Sequence, residues 1–85
     1  MEIAFDEVAF EDISFWKKSG NKAIQLKIQK LLVEMKEAPY VGTGKPEELK
    51  YALAGKWSRR INTEHRIVYS IKGDVIQVHS LRGHY

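Results

Sequence analysis

The chain has 85 residues, of which 44% are hydrophobic and 29% charged, with a formal net charge of +3 and no cysteine. This length allows one domain, residues 1–85, with one modest core. The composition excludes a membrane span, which requires about 18 apolar residues in a row, and the absence of cysteine excludes disulfides and thiolate metal sites. The acidic N-terminus does not resemble a secretory signal, so we expect a soluble, cytoplasmic protein with an anionic partner.

The first 20 residues predict a strand followed by a helix. Apolar side chains alternate along residues 1–5, which is typical of a short strand with one face on the core. Asp6 is a favourable N-cap for a helix over residues 7–18, and Gly20 ends it.

A second helix is predicted before Pro39, which stops it. Its apolar residues recur at helical spacing, which indicates a buried stripe: Ile24, Ile28, Leu31 and Met35. The segment PYVGTGKPEE, at positions 39–48, is rich in glycine and proline and predicts an irregular loop. Its GTGK lacks the pattern of a phosphate-binding loop, so nucleotide binding is excluded.

The second half of the chain predicts a β-hairpin and a final strand. Residues 57–61 and 65–69 are strand-like and are separated by a turn at 62–63, and residues 75–81 form the last strand. Because the helices come first and the strands follow one another, we expect an α+β fold: a strand, two N-terminal helices covering one face, and a small, mainly antiparallel sheet.

Two arginines face each other across the predicted hairpin. A three-residue loop pairs Arg60 with Arg66, whereas a two-residue loop pairs Arg59 with Arg66. Like charges directly opposite on a sheet are destabilising, and a bound anion would relieve the conflict. The alternative is a solvated basic face that only prevents aggregation.

Several side chains together match phosphodiester cleavage without a metal ion. They are a carboxylate pair, a cationic sheet face and two terminal residues: Glu47, Glu48, Lys50, Arg59, Arg60, Arg66, His84 and Tyr85. A carboxylate can accept a proton from a 2′-hydroxyl, an imidazole can donate one to the leaving oxygen, and arginine can stabilise charge on the phosphate. The histidines lack metal-ligand spacing, so we expect neither a metal nor a cofactor. From the residues alone, a terminal histidine such as His84 is more often a frayed end than a general acid.

The motifs resemble those of a known family. The segment GTGKPEELKYALAGKWSRRINTEHRIVYSI and the ending LRGHY are similar to the YoeB-type toxins of the RelE-like superfamily, over essentially the whole chain. The resemblance implies a RelE-like, microbial-RNase-like fold. It also implies a toxin of a type II toxin–antitoxin system, an mRNA interferase that cuts messenger RNA on the ribosome and is held inactive by a cognate acidic antitoxin.

The resemblance also implies roles for individual residues. Glu47 resembles the family's general base, Arg66 its transition-state arginine and His84 its general acid. Tyr85 resembles the terminal aromatic residue that places the scissile nucleotide. The residues expected to bind RNA phosphates are Lys50, Arg59 and Arg60, of which Lys50 and Arg60 match family positions. Members of the family tend to form homodimers, which this sequence neither supports nor excludes.

The chain departs from the family pattern at two positions. Many relatives have proline where this chain has Glu48, which leaves open whether Glu48 shares the role of Glu47. Many have a bulkier residue in place of Gly83, so glycine there is expected to loosen the tail.

Two further hypotheses use the same scaffold. One is a non-catalytic RNA or ribosome binder whose Trp57 and Tyr85 stack on bases, and the other is a transcription-regulating module that acts with its partner. A binder tolerates the loss of Glu47 and His84, whereas a nuclease keeps its affinity and loses cleavage.

Overall fold

The computed structural model describes residues 1–83, which form two helices and a five-stranded sheet. The helices are α1 (Glu7–Ser19) and α2 (Lys22–Glu37), and a single 3-10 turn spans Tyr51–Leu53. The strands are β1 (Glu2–Phe5), β2 (Glu47–Glu48), β3 (Trp57–Arg60), β4 (Arg66–Lys72) and β5 (Val75–Ser80). The predicted α+β class is confirmed.

The strands lie in the order β1-β5-β4-β3-β2 across the sheet. The three pairs from β2 to β5 are antiparallel, as predicted for hairpin-linked strands. The fourth pair, β1 with β5, is parallel, so the sheet is mixed. This arrangement places β1 at one edge and β2 at the other.

Local signals explain where the helices begin and end. Gly20 ends α1 in the left-handed conformation, with φ of 73°, which glycine adopts without a steric penalty. The side chain of Asn21 caps α2 by accepting a hydrogen bond from the Ile24 amide, at 3.1 Å. Asp6 stands at the N-cap of α1 but makes no capping hydrogen bond with its side chain. The predicted N-cap position of Asp6 is therefore confirmed, but its carboxylate binds side chains of the sheet instead of capping the helix.

The hydrophobic core lies between the two helices and one face of the sheet. Along β4 and β5 the side chains alternate, so that every second residue points into this core. The buried cluster comprises Ala9, Trp16, Ile24, Ile28, Leu31, Met35, Ile61, Ile67, Tyr69, Ile76, Val78 and Leu81. The predicted α2 stripe is entirely within it. Within residues 1–83, no helix is both long and apolar enough to cross a membrane.

The predicted loop at 39–48 contains a short strand at its end. Residues Glu47 and Glu48 form β2 by pairing with β3, where Glu47 lies opposite Ser58 and Glu48 opposite Trp57. A strand of two residues has no periodicity of its own, so the sequence could not reveal it. Its consequence is that Glu47 is held on a sheet rather than on an irregular loop.

Candidate active site

The face of the sheet that points away from the core carries polar side chains, and we call it the open face. Residues directly opposite each other in neighbouring antiparallel strands point to the same side, so the strand register defines its members. They include Glu47, Ser58, Arg60, Arg66, Val68, Ser70 and Gln77. His79 lies at a bulge in the pairing of β4 with β5 and is placed on this face by its contact with the Ser70 hydroxyl, at 2.8 Å. The open face therefore collects a carboxylate, two arginines and a histidine on one surface.

Glu47 and Arg66 lie close together on this face, with Ser58 on the strand between them. The Arg66 Nη1 atom is 3.8 Å from the Glu47 Oε2 atom and donates a hydrogen bond to the Ser58 hydroxyl at 3.3 Å. The Arg66 side chain is 15% exposed and that of Glu47 is 59% exposed. Arg66 is thus oriented by its neighbours, while Glu47 remains accessible from solvent.

The other predicted cations lie in different places. Arg60 pairs with Arg66 in the strand register, so the three-residue-loop alternative is confirmed. Arg60 is exposed beside Arg66 on the open face. Lys50 is also exposed, and it lines a shallow cleft with Glu47 and Tyr51. The structure therefore places Arg60 next to Arg66 and Lys50 next to Glu47.

Arg59 does not lie on the open face, and its predicted place on the cationic surface is wrong. Its side chain is fully buried. Its guanidinium donates hydrogen bonds to the carbonyl oxygens of Ala38, Val41 and Thr43 and to the Tyr69 hydroxyl. The physical reason is strand alternation, since Arg59 has the same orientation as Trp57 and Ile61, which lie two residues before and after it and face inward.

The buried guanidinium organises the loop that leads to Glu47. Glu34 lies 3.6 Å from Arg59 and accepts the Thr43 amide hydrogen at 2.9 Å. The Thr43 hydrogen bond, followed by the charge of Arg59, holds the pKa of Glu34 below its usual value. Gly42 has φ of 118°, and a Cβ atom there would stand 2.5 Å from the Glu34 carboxylate, so a larger residue would strain the backbone and displace Glu34 from this pair. The loop is thereby fixed before it enters β2.

Helix α1 anchors the C-terminal segment, which is a role that the sequence did not reveal. The Asp12 carboxylate accepts the Leu81 amide hydrogen, and the Trp16 indole donates to the Leu81 carbonyl, both at 2.9 Å. Asp12 is buried on the apolar side of α1. The sequence signal for this role was a carboxylate within the apolar stripe of a helix, because a buried carboxylate needs a hydrogen-bond partner.

The described chain ends next to Arg66. The Gly83 carbonyl accepts the Arg66 amide hydrogen at 3.2 Å, and the Gly83 amide donates to His65 Nδ1 at 2.8 Å. Gly83 has φ of 80°, a conformation that suits glycine. Gly83 therefore lies in a hydrogen-bonded turn rather than in a loosened segment. The predicted residues His84 and Tyr85 lie outside the described part of the chain.

Tyr51 is a further candidate that the sequence did not single out. Its ring is 92% exposed, next to Lys50, and its backbone has φ of 58°. The left-handed conformation costs a residue other than glycine roughly 1–2 kcal/mol. An exposed ring beside a basic residue offers a stacking surface for a nucleic-acid base.

We expect Tyr51→Gly to raise the free energy of unfolding by about 0.5–1 kcal/mol, because glycine relieves the backbone strain. Urea denaturation measures this change. Tyr51→Ala is the matched control, since it removes the same exposed ring and retains the strain, and it should leave stability nearly unchanged. Equal stability of the two variants would show that the backbone at this position is not strained.

Among residues 1–83, no group of three or more histidine, cysteine, aspartate or glutamate side chains is placed to hold a metal ion. The functional groups on the described part of the open face are carboxylate, guanidinium, hydroxyl, amide and imidazole groups.

Comparisons with known proteins agree with this fold. The family model of the YoeB-like toxin of bacterial type II toxin–antitoxin systems matches residues 5–85. Toxin YoeB from Escherichia coli strain K12 is 39% identical over 85 residues, covering all of both chains. A YoeB/ParE toxin from Agrobacterium tumefaciens superposes with a TM-score of 0.94 at 38% identity, again over all of both chains.

Two solved structures of YoeB from Staphylococcus aureus are also similar to this chain. In a YoeB–YefM complex it superposes with a TM-score of 0.89 at 41% identity, covering 100% of this chain and 98% of that chain. A structure described as a YoeB dimer gives a TM-score of 0.89 at 40% identity, with the same coverage. These matches identify the chain as a toxin of a bacterial type II toxin–antitoxin system. Within that class, it belongs to the YoeB-like family, which confirms the resemblance found in the motifs.

Proposed function

We propose that this toxin is a ribosome-dependent endoribonuclease that cleaves messenger RNA by acid–base catalysis. The observation that carries the proposal is the Glu47–Arg66 pair, whose side chains lie 3.8 Å apart on the open face of the sheet. A carboxylate beside a guanidinium offers a proton acceptor and a phosphate ligand at one point. The pair is accessible to a nucleic acid because the helices cover only the opposite face.

In this reaction Glu47 acts as the general base. A glutamate side chain is normally ionised at neutral pH, so it can accept the proton of a ribose 2′-hydroxyl. The deprotonated oxygen attacks the adjacent phosphorus, and the bond to the 5′-oxygen of the next nucleotide breaks. The product is a 2′,3′-cyclic phosphate on the upstream fragment. A positioned base or acid contributes typically 10²- to 10⁴-fold to such a step.

Arg66 stabilises the negative charge that develops on the phosphate oxygens. The fixed fork of guanidinium donors suits phosphate geometry, and one such donor is worth about 3 kcal/mol in a transition state. Arg66 is held by Ser58 and by the strand pairing of β3 with β4. Catalytic donors are most effective when they need no reorganisation during the reaction.

We assign the general acid to His84 and the placement of the scissile nucleotide to Tyr85. The support is the covalent connection to Gly83, whose carbonyl is hydrogen bonded to the amide of Arg66. Asp12 and Trp16 fix the preceding turn. The sequence thus supplies an imidazole directly after a segment that is anchored beside the proposed transition-state arginine.

Arg60 and Lys50 bind phosphates on either side of the cut. Both are exposed, and contacts of this kind position a nucleic acid without reading its sequence. The buried Arg59 does not belong to this set. Its role is to hold the 38–43 loop that precedes β2.

We also propose a cognate acidic antitoxin as the protein partner. The support is the family membership together with the Staphylococcus aureus complex of YoeB with YefM. An acidic antitoxin would complement the formal net charge of +3. A homodimer is proposed on the same basis, from the YoeB dimer of that organism. The cytoplasm, where ribosomes translate, is the proposed place of action.

The experiment that tests the function uses purified ribosomes programmed with a defined messenger RNA. We expect cuts within the message when the toxin and ribosomes are both present, mapped by primer extension, and no cuts in free message under the same conditions. Equal cleavage without ribosomes would contradict the ribosome requirement. Binding to ribosomes without any cleavage would favour the non-catalytic binder.

A further inference from the structure

A second polar cluster lies on the open face, at the edge opposite to Glu47. We call it the Asp6 cluster, and it comprises Asp6, Ser70, Gln77 and His79. The Asp6 Oδ2 atom is 2.6 Å from His79 Nδ1, and His79 Nε2 is 2.8 Å from the Ser70 hydroxyl oxygen. The Gln77 side-chain amide donates a hydrogen bond to the other Asp6 oxygen. The cluster thus forms one continuous chain of hydrogen bonds across β4, β5 and the end of β1.

The direction of these hydrogen bonds follows from the chemistry of the groups. Hydrogen bonds from His79 and Gln77 hold the pKa of Asp6 below its ordinary value, although partial burial opposes this. An ionised carboxylate only accepts, so His79 Nδ1 must carry a hydrogen. In the neutral ring Nε2 is then an acceptor, and the Ser70 hydroxyl donates to it. Asp6 therefore fixes both the tautomer and the orientation of His79.

The cluster exists at the expense of a helix cap. Asp6 occupies the N-cap position of α1, yet its side chain makes no capping hydrogen bond. A helix that lacks such a capping bond is less stable than one that has it. The backbone already ties this point to the sheet, because the Asp6 amide donates to the Val78 carbonyl at 2.9 Å. Asp6 thus leaves its helix uncapped although the backbone does not require this. Such a departure from local preference is typical of a functional site.

The position of the cluster relates it to the proposed active site. His79 and Arg66 lie on the same face in neighbouring strands, and Val68 opposite Ser80 marks the register. Their backbones are about 10 Å apart, because the two strands are adjacent and the two residues are offset by two to three positions along them. The side chain of His79 is 21% exposed and that of Asp6 is 41% exposed. A strand of RNA with its scissile phosphate at Arg66 therefore reaches His79 with a neighbouring nucleotide.

We propose that His79, held in place by Asp6 and by the buried Ser70, forms a subsite that contacts the base or ribose of a nucleotide next to the cut. This inference rests on the proposed function. The cluster contains the carboxylate of Asp6 and neither arginine nor lysine, so it suits the neutral groups of a nucleotide and not a phosphate. It thereby differs from Arg60 and Lys50, whose charges suit the RNA backbone.

A serine nucleophile is the competing interpretation of an aspartate–histidine–serine chain. Such a nucleophile needs an accessible hydroxyl and donors placed for an oxyanion. Ser70 is buried within β4, where Gln77 of β5 lies directly opposite it. The cluster is therefore better suited to recognition than to covalent catalysis.

The test measures kcat/KM on programmed ribosomes for messages in which each nucleotide flanking the cut is varied in turn. Wild type is compared with His79→Ala and Asp6→Asn, and the control is Asp74→Asn, which removes a carboxylate from the β4–β5 turn. We expect the two cluster variants to change the relative kcat/KM of the four bases at one position by about 2- to 10-fold, the worth of one or two hydrogen bonds. The control should leave every ratio unchanged.

Salt dependence separates this role from a phosphate contact. Loss of a phosphate contact reduces the slope of log affinity against log salt by roughly 0.7 for a single strand. His79→Ala should leave that slope unchanged, whereas Arg60→Ala should reduce it. A uniform loss of activity for all messages in a folded His79→Ala protein, or a reduced salt slope, would overturn the proposal.

A second measurement keeps the subsite testable if no message is cut. The imidazole nitrogen signals of His79 are followed by NMR while a short single-stranded RNA is added. A shift of these signals that Asp6→Asn abolishes would support the subsite even when the proposed nuclease activity fails. Unchanged His79 signals at RNA concentrations that shift other residues of the open face would overturn it.

Discussion

Replacing Glu47 with glutamine is expected to lower the single-turnover rate of messenger RNA cleavage about 10²- to 10⁴-fold, as the loss of a general base does. Glutamine has nearly the same shape and can occupy the same position on β2. It cannot accept the 2′-hydroxyl proton. Ribosome affinity should remain within a few-fold of wild type, because the exposed cations of the open face are unchanged. The measurement is a quench-flow or manual time course with toxin in excess over programmed ribosomes.

The matched control is Glu48→Gln, which makes the same chemical change one residue further along the same strand. Glu48 lies opposite Trp57, so its side chain points to the other side of the sheet from Glu47. Its replacement should leave the cleavage rate nearly unchanged. If Glu48→Gln were the more damaging variant, the assignment of the base to Glu47 would be wrong.

Arg59→Met should lower the free energy of unfolding by about 1–3 kcal/mol, which is the usual consequence of leaving buried hydrogen-bond acceptors without their donor. Methionine has a similar length but no donors. The carbonyl oxygens of Ala38, Val41 and Thr43 would lose their shared partner, and unsatisfied buried acceptors are destabilising. Urea or thermal denaturation followed by circular dichroism measures the change.

Arg60→Met is the matched control for this prediction. It removes an exposed arginine from the neighbouring position of the same strand, where the opposite residue is another arginine. Surface substitutions of this kind usually change stability by less than about 0.5 kcal/mol. Equal destabilisation by the two variants would contradict the account of Arg59 as the residue that holds the loop.

The sequence predicted those elements whose signal is local. The α2 stripe was found because four apolar residues repeat at helical spacing, and all four are buried. The turn length limited the partner of Arg66 to Arg60 or Arg59, and the structure has Arg60 there. The motif resemblance identified the family because it covers the loop, the hairpin and the tail together.

The missed features depend on contacts between distant parts of the chain. The parallel pairing of β1 with β5 joins the two ends of the sequence, and no local pattern encodes it. The contact of Asp6 with His79, which takes the Asp6 side chain away from its helix, likewise joins distant parts of the chain. Arg59 is different, because Trp57, Arg59 and Ile61 share one side of an alternating strand. Its position between two apolar residues of the same orientation was a signal of burial.

The most direct test of the catalytic account is cleavage of a message that carries one 2′-deoxynucleotide at the cut site. If Glu47 activates the 2′-hydroxyl, this message should not be cut at that site. The matching ribose message should be cut, and mass spectrometry should find its upstream fragment ending in a 2′,3′-cyclic phosphate or the hydrolysed form of it. Cleavage of the deoxy message at an unchanged rate would contradict the mechanism.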